Sequence, residues 1–200
     1  MKRFAVLASG YGSNLQAIIK ACKDKQIHGH LALVFSNKPD AYALVRAKKA
    51  GIPTATLSQK DFANREDFDR AVLSILKAYR IDYIVLAGYM RLLSPVFVKT
   101  YANKMINIHP ALLPSFKGTH GIEDAFKAGV KVVGPTVHFV VDEMDAGAII
   151  AQEAVKVLPK DTLETLTAKI HKAEHRIYPK AIDLLVRGKL KLLGGRVTGC

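Results

Sequence analysis

Met105-Ile106-Asn107-Ile108-His109-Pro110-Ala111-Leu112-Leu113-Pro114 is the stretch on which the reading of this chain turns. An apolar run carries an Asn and a His at alternate positions and then ends on a proline. In a strand alternate side chains share a face, so Asn107 and His109 project together from its C-terminal end. Pro110 has no N–H to give to a ladder and turns the chain into a loop. An amide donor beside an imidazole at a strand mouth can hold a reacting carbonyl oxygen and move a proton. The same two residues also fit the polar end of an ordinary strand, and the stretch alone does not choose.

Upstream, Arg3 to Ser9 reads as a buried strand that runs into Ser9-Gly10-Tyr11-Gly12-Ser13-Asn14, after which Leu15, Ile18, Ile19 and Cys22 fall at helical spacing. Strand, glycine turn and helix aim backbone N–H groups at an anion, although the third glycine of the dinucleotide fingerprint is missing and a helix cap without a ligand stays open. Leu31 to Ser36 is a second strand, Ala41 to Ala50 a helix closed by Gly51, and Pro53 to Leu57 a third strand. Asp61 to Tyr79 is an amphipathic helix with Phe62, Phe68, Val72, Ile75, Leu76 and Tyr79 on its apolar face. Tyr83 to Ala87 is a fourth strand leading into Gly88-Tyr89-Met90-Arg91-Leu92-Leu93-Ser94-Pro95, and Val96 to Tyr101 a short helix. The opening stretch is then the fifth strand. Alternating βα units specify an α/β fold: a Rossmann-like, doubly wound, mostly parallel sheet with helices on both faces. Such sheets bind ligands beyond the carboxyl ends of the strands, where strand order reverses. The loops at 9–14, 88–94 and 107–120 should therefore meet in one crevice.

Downstream, Ser115 to Gly121 is a polar glycine loop, followed by a helix through Ala125 to Ala128. Val132 to Val141 and Ala148 to Val157 read as two further strands joined by Asp142-Glu143-Met144-Asp145-Ala146-Gly147. A helix capped by Asp161 or Thr162 continues to about Val186, bent or interrupted by Pro179. From Gly188 a short strand and a loosely held glycine-rich tail are expected.

Composition narrows the classes. The chain has 200 residues, half of them hydrophobic, with 30 Lys+Arg against 17 Asp+Glu and a net charge of +13. Small anionic substrates or nucleic acid would each suit that charge, but the lysines are scattered along helices and lack aromatic interleaving, so no nucleic-acid partner is expected. Cys22 and Cys200 make neither a disulfide framework nor a zinc set. The N-terminal apolar stretch is too short for a signal peptide and nothing approaches a membrane span, which points to the cytoplasm.

Several motifs now agree. Ala8-Ser9-Gly10-x-Gly12-Ser13-Asn14, Leu86-Ala87-Gly88-Tyr89-Met90-Arg91 and Asn107-Ile108-His109-Pro110-x-Leu112-Leu113-Pro114 are followed by Thr136-Val137-His138-Phe139-Val140, Met144-Asp145-x-Gly147 and Ala173-Glu174-His175-x-Ile177-Tyr178-Pro179. Together and in this order they resemble the phosphoribosylglycinamide formyltransferases, the folate-dependent formyltransferase family of purine synthesis, over residues 1 to about 190. The resemblance implies transfer of a formyl group from 10-formyltetrahydrofolate, as co-substrate, to the amine of glycinamide ribonucleotide, with no metal. It implies Asn107, His109 and Asp145 as catalytic residues. Gly12, Ser13, Asn14, Asn107 and Glu174 would contact the nucleotide. Arg65, Met90, Arg91, Leu92, Leu93, Val141, Asp142 and Asp145 would line the folate site. One domain over 1–188 is expected, with a nucleotide-binding half to about 100 and a folate and catalytic half from 101, in a monomer or homodimer; the tail at 189–200 has no clear counterpart in the family and is assigned no role. Tyr11 and Ala111 depart from the family's usual residues.

The chemistry agrees with that assignment. Formyl transfer to an amine passes through a tetrahedral oxyanion, which preorganised donors stabilise. Asn107 offers a neutral N–H, and His109 a charged one when a carboxylate such as Asp145 neighbours it. His171 and His175 stand four apart on a helix but lack the Glu of a metalloprotease, and read as surface residues. His138, in a buried strand, reads as a satisfied supporting residue, and His120 as either a substrate contact or exposed. The alternatives are a formyltetrahydrofolate hydrolase, a methionyl-tRNA formyltransferase, an NAD-dependent oxidoreductase, or a nucleic-acid-binding module. The hydrolase carries a regulatory domain ahead of this module, the tRNA enzyme an RNA-binding domain after it, and the oxidoreductase needs an acidic residue near Ser36.

Overall fold

A computed structural model describes residues 1–199; Cys200 lies outside the described residues. The elements are β1 (Arg3–Leu7), α1 (Ser13–Lys23), β2 (His30–Ser36), α2 (Tyr42–Lys49), β3 (Thr54–Thr56), a 3-10 turn (Gln59–Asp61), α3 (Arg65–Ala78), β4 (Tyr83–Leu86), α4 (Pro95–Thr100), β5 (Met105–His109) and α5 (Gly121–Lys127). They continue with β6 (Val132–Val133), β7 (Thr136–Phe139), β8 (Ile149–Gln152), β9 (Val155–Lys156), α6 (Leu163–Val186), β10 (Lys191–Leu193) and β11 (Arg196–Thr198).

The seven-stranded sheet has the order β3-β2-β1-β4-β5-β7-β8. Strands β3 through β5 in that order are parallel, while β7 and β8 are antiparallel additions. The parallel strands are near-continuous apolar runs because helices cover both faces. Leu15, Ile18, Ala43, Leu44, Tyr178 and Ile182, from α1, α2 and α6, pack on one face. Phe68, Val72, Leu76 and Phe97, from α3 and α4, pack on the other. Chain order runs outward from β1 through β2 to β3, then returns to β1's other side as β4. The C-terminal ends of β1 and β4 therefore diverge into a crevice, the place where such sheets take ligands. Among the described residues no helix is long and apolar enough to cross a membrane.

Four details differ from the sequence reading. Helix α3 starts at Arg65 rather than Asp61, because the Asn64 side chain accepts the Asp67 N–H at 2.9 Å and caps it. Phe62 thus precedes the helix, yet still packs edge-to-face on Phe68 with centroids 5.3 Å apart. The two long downstream strands are each broken, at Gly134-Pro135 and Glu153-Ala154, so that β6 and β9 pair as a separate ladder. The close approach there needs glycine: a Cβ on Gly134 would stand 1.9 Å from the Glu153 carbonyl oxygen. Helix α6 runs uninterrupted through Pro179. The short strand expected after Gly188 is β10, but the expected loose tail instead returns as β11 in a hairpin whose turn residues, Gly194 and Gly195, take the positive φ values of 56° and 77°, with Val197 against the core.

Candidate active site

The glycine turn after β1 is built to leave donors free. Gly12 caps α1 at φ 74°, and no side chain among the described residues caps that helix. The first N–H groups of α1 are thus available to an anion. Alanine does not fit at Gly12, since its Cβ would lie 2.9 Å from the Ala43 Cβ, while Ala43 N–H donates to the Gly10 carbonyl at 3.0 Å. Next to this turn Asn14 Nδ2 donates to Glu174 Oε2 at 2.9 Å, and His171 Nδ1 lies 2.8 Å from the same oxygen. Glu174 is buried. Its hydrogen bond raises the His171 pKa above the ordinary value, against the effect of burial. His171 is therefore a half-buried partner of Glu174 and not the plain surface residue read from helical spacing. His175 is also half-buried, its basicity lowered by that burial.

At the end of β5 the register does the assembling. Asn107 pairs across the strands with His138, and Leu86 of β4 pairs with Asn107. Asn107 Nδ2 stands 3.2 Å from His138 Nε2, and His138 Nδ1 donates to the Phe139 carbonyl at 2.8 Å. A neutral His138 so arranged accepts the Asn107 N–H, while a protonated one turns Nε2–H to Asp145 Oδ1, 3.5 Å away. Asp145 Oδ2 lies 3.4 Å from His109 Nδ1 and accepts the Gly118 N–H at 2.9 Å. The other His109 nitrogen, Nε2, donates to the Phe116 carbonyl at 2.8 Å. His109 and His138 are both buried.

The loop bearing Asp145 reaches this point because Gly147 lies flat on β7, where a Cβ would come within 1.8 Å of the Phe139 carbonyl oxygen. Asp145 itself takes the left-handed conformation, φ 53°, which Asp tolerates better than most residues. Burial pushes its carboxyl up, but hydrogen bonds from His138 and the Gly118 N–H, with the charge of both imidazoles, hold it below the ordinary carboxylate value. A Lys117–Glu143 ion pair at 2.9 Å also joins the 115–121 loop to the 142–147 loop.

The 88–94 segment forms the third wall. Ser9 N–H donates to the Gly88 carbonyl at 3.0 Å, and Met90 N–H to Ser9 Oγ at 2.8 Å, which fastens it to the glycine turn. Ser9 Oγ in turn donates to Asn37 Oδ1 at 2.6 Å. Met90 and Leu92 stay 63% and 53% exposed, unusual for apolar residues beside a crevice and suited to a ligand's flat face. Arg91 turns inward and Leu93 is buried. Arg65 is exposed at the start of α3, where its carbonyl lies 3.5 Å from Arg91 Nη2; its side chain makes no hydrogen bond among the described residues. Val141 and Asp142 are exposed or half-exposed at the mouth of the Asp145 loop.

The structure thus brings Asn107, His109 and Asp145 together, adds His138 as a direct neighbour of two of them, and joins Asn14 to Glu174. The Gly118 N–H and Ser9 were not singled out by the sequence reading. A strand pairing that sets His138 opposite Asn107 is not visible until topology is known. No group of three or more His, Cys, Asp or Glu side chains among the described residues is placed to hold a metal ion.

An amide, an imidazole and a carboxylate beside a glycine turn at a sheet's switch point are the groups that chemistry at a carbonyl uses. The formyl transferase family matches residues 2–182 of this chain. A phosphoribosylglycinamide formyltransferase of Escherichia coli is 48% identical over 94% of this chain and 88% of its own length. One of Haemophilus influenzae is 46% identical over 96% and 91%. The chain belongs to the phosphoribosylglycinamide formyltransferase family. It also aligns at 51% identity with the trifunctional purine biosynthetic protein adenosine-3 of Drosophila melanogaster, but spans only 14% of that protein, and 19% of its Bos taurus counterpart. The crystal structure of glycinamide ribonucleotide transformylase 1 from Symbiobacterium toebii superposes with a TM-score of 0.96 at 46% identity, covering 98% of this chain and 93% of that one.

Proposed function

We propose that the chain transfers the formyl group of 10-formyltetrahydrofolate to the amine of glycinamide ribonucleotide, a step of purine synthesis, in the crevice described above. The observation that carries the reading is the meeting of Asn107, His109 and Asp145 between an uncapped α1 N-terminus and the exposed Met90–Leu92 edge. The nucleotide phosphate docks on the N–H groups of Gly12, Ser13 and Asn14, and Glu174 receives the ribose. The folate lies along Met90–Leu93 and the 141–145 loop, with Arg65 at the outer rim toward its acidic tail.

The substrate amine attacks the formyl carbon, forming the new C–N bond and placing negative charge on the formyl oxygen. Asn107 donates its remaining amide N–H to that oxygen, and His109 donates a charged N–H stabilised by Asp145. Because His109 Nε2–H is held by the Phe116 carbonyl, an oxygen taking that proton replaces Phe116, so the 115–121 loop shifts as substrate enters. The bond to folate N10 then breaks, and the proton lost by the amine reaches N10 through the imidazole–carboxylate pair and a water. The residues 1–188 act as one domain, with both halves contributing to both subsites.

Initial-rate assays on the purified protein test this. Tetrahydrofolate should appear only when both substrates are present; its release regardless of nucleotide would make the chain a hydrolase. Gly12→Ala supplies a second check. A non-glycine residue held at positive φ costs about 1–2 kcal/mol, and the displaced turn loses its aim at the phosphate. The KM for glycinamide ribonucleotide should rise about tenfold or more, with the KM for folate little changed. An unaltered nucleotide KM would remove this turn from the phosphate site.

A further inference from the structure

Helix α3 carries an acid where its apolar stripe predicts a hydrophobe. Asp69 precedes Val72 by three residues and Leu76 by seven, and all three are fully buried. A buried carboxylate is costly unless something answers its charge. What answers it is the 88–94 segment. Asp69 Oδ2 accepts the Ser94 N–H at 2.6 Å, at the point where Ser94 caps α4. Asp69 Oδ1 lies 3.7 Å from Arg91 Nε, and the Arg91 guanidinium sits over the Phe68 ring at 4.2 Å, with Nη1 donating to Gln59 at 2.6 Å. Asp69 Oδ1, Arg91 Nε and the Tyr89 hydroxyl are all buried without a direct hydrogen bond among the described residues. Burial, then the charge of Asp69, pushes the Tyr89 phenol well above its ordinary range.

The segment therefore alternates. Tyr89, Arg91 and Leu93 turn inward, and Met90 and Leu92 turn out to the crevice. We propose that Asp69 is a positioning residue for the folate co-substrate: by holding Ser94 and Arg91 from below, its carboxylate fixes the register in which Met90, Leu92 and the intervening backbone face the pteridine. This rests on the formyltransferase reading and extends it to a residue that touches neither substrate. The Asp69 contacts, with Ser94 and Arg91, lie at the far end of the segment from the Gly88 and Met90 links to Ser9, so its effect falls mainly on the folate side.

The experiment is titration of the purified protein and its Asp69→Asn variant with tetrahydrofolate by calorimetry, beside the KM for each substrate. Asn keeps an acceptor for Ser94 but leaves the Arg91 charge unanswered. Affinity for tetrahydrofolate should fall about tenfold or more, with the KM for glycinamide ribonucleotide within about twofold of the unmodified protein. If Asp69→Asn does not fold, Asp69→Glu keeps a charge for Arg91 but moves the carboxylate by one methylene away from its Ser94 contact, and should show the same split. Unchanged folate affinity in a folded variant overturns the proposal, as does parallel weakening of both substrates. Failure of the unmodified protein to bind tetrahydrofolate would instead overturn the functional reading on which the proposal stands.

Discussion

Asp145→Asn should lower kcat on the order of a thousandfold while leaving the KM of both substrates within a few-fold. The side chain keeps its size and can still accept the Gly118 N–H, so the loop at 142–147 retains its anchors in Gly147 and the Lys117–Glu143 pair. What disappears is the negative charge 3.4 Å from His109 Nδ1. The charged His109 that donates to the oxyanion then has no counter-charge, which corresponds to about 4 kcal/mol of lost stabilisation. His109→Ala should fall at least as far. Stability gives a second readout. The folded Asp145 carboxyl titrates below its ordinary value of 3.8, so its contribution is present above that pH and is lost as pH falls through the folded value. The melting-temperature advantage of the unmodified protein over Asp145→Asn should therefore hold at neutral pH and shrink in acid. Near-normal turnover in the variant, with both substrates bound, would remove Asp145 from the mechanism.

Asn107→Ala should cost about a hundred- to a thousandfold in kcat, the usual effect of deleting one oxyanion donor. One amide hydrogen of Asn107 is directed to His138 Nε2 in the neutral pair, which orients the group and leaves the other for the substrate oxygen. Asn107 is only half-buried, so its loss should change the melting temperature little. Asn107→Asp sharpens the test, since a carboxylate at that point repels the developing oxyanion and should be at least as inactive as alanine. Steady-state kinetics of the two variants side by side check the assignment. Activity in Asn107→Asp above that of Asn107→Ala would contradict it.

Much of this architecture could be read from the sequence because parallel strands and their turns announce themselves locally. Phe4 to Ala8 and Leu31 to Phe35 are apolar throughout because both faces are covered, and Gly12 and Gly51 sit where positive φ is needed. Asn107 and His109 were legible as a pair because a strand's period of two is a local property. The contacts that tie the site together were less so. His138 meets Asn107 through an antiparallel pairing across 31 residues, and Glu174 meets Asn14 across 160. The breaks at Gly134 and Glu153 depend on a close backbone approach between two strands, which neither strand's own sequence specifies. Asp69 left a trace that could have been followed, an acid on the apolar stripe of an amphipathic helix, but its partner lay in another element. Of the hairpin at 191–198 only the first short strand is legible; the return strand is three residues long and mostly exposed, and lacks the alternation that marks a half-buried strand.

One crevice carries a formyl group from folate to the amine of glycinamide ribonucleotide, and an isotope experiment can follow that carbon. The most direct test supplies 10-formyltetrahydrofolate carrying a ¹³C-labelled formyl carbon together with the nucleotide, and follows the carbon by NMR as tetrahydrofolate forms. The label should appear in the formamide of the nucleotide product, one for each tetrahydrofolate released. Label accumulating as free formate, at a rate indifferent to the nucleotide, would contradict it.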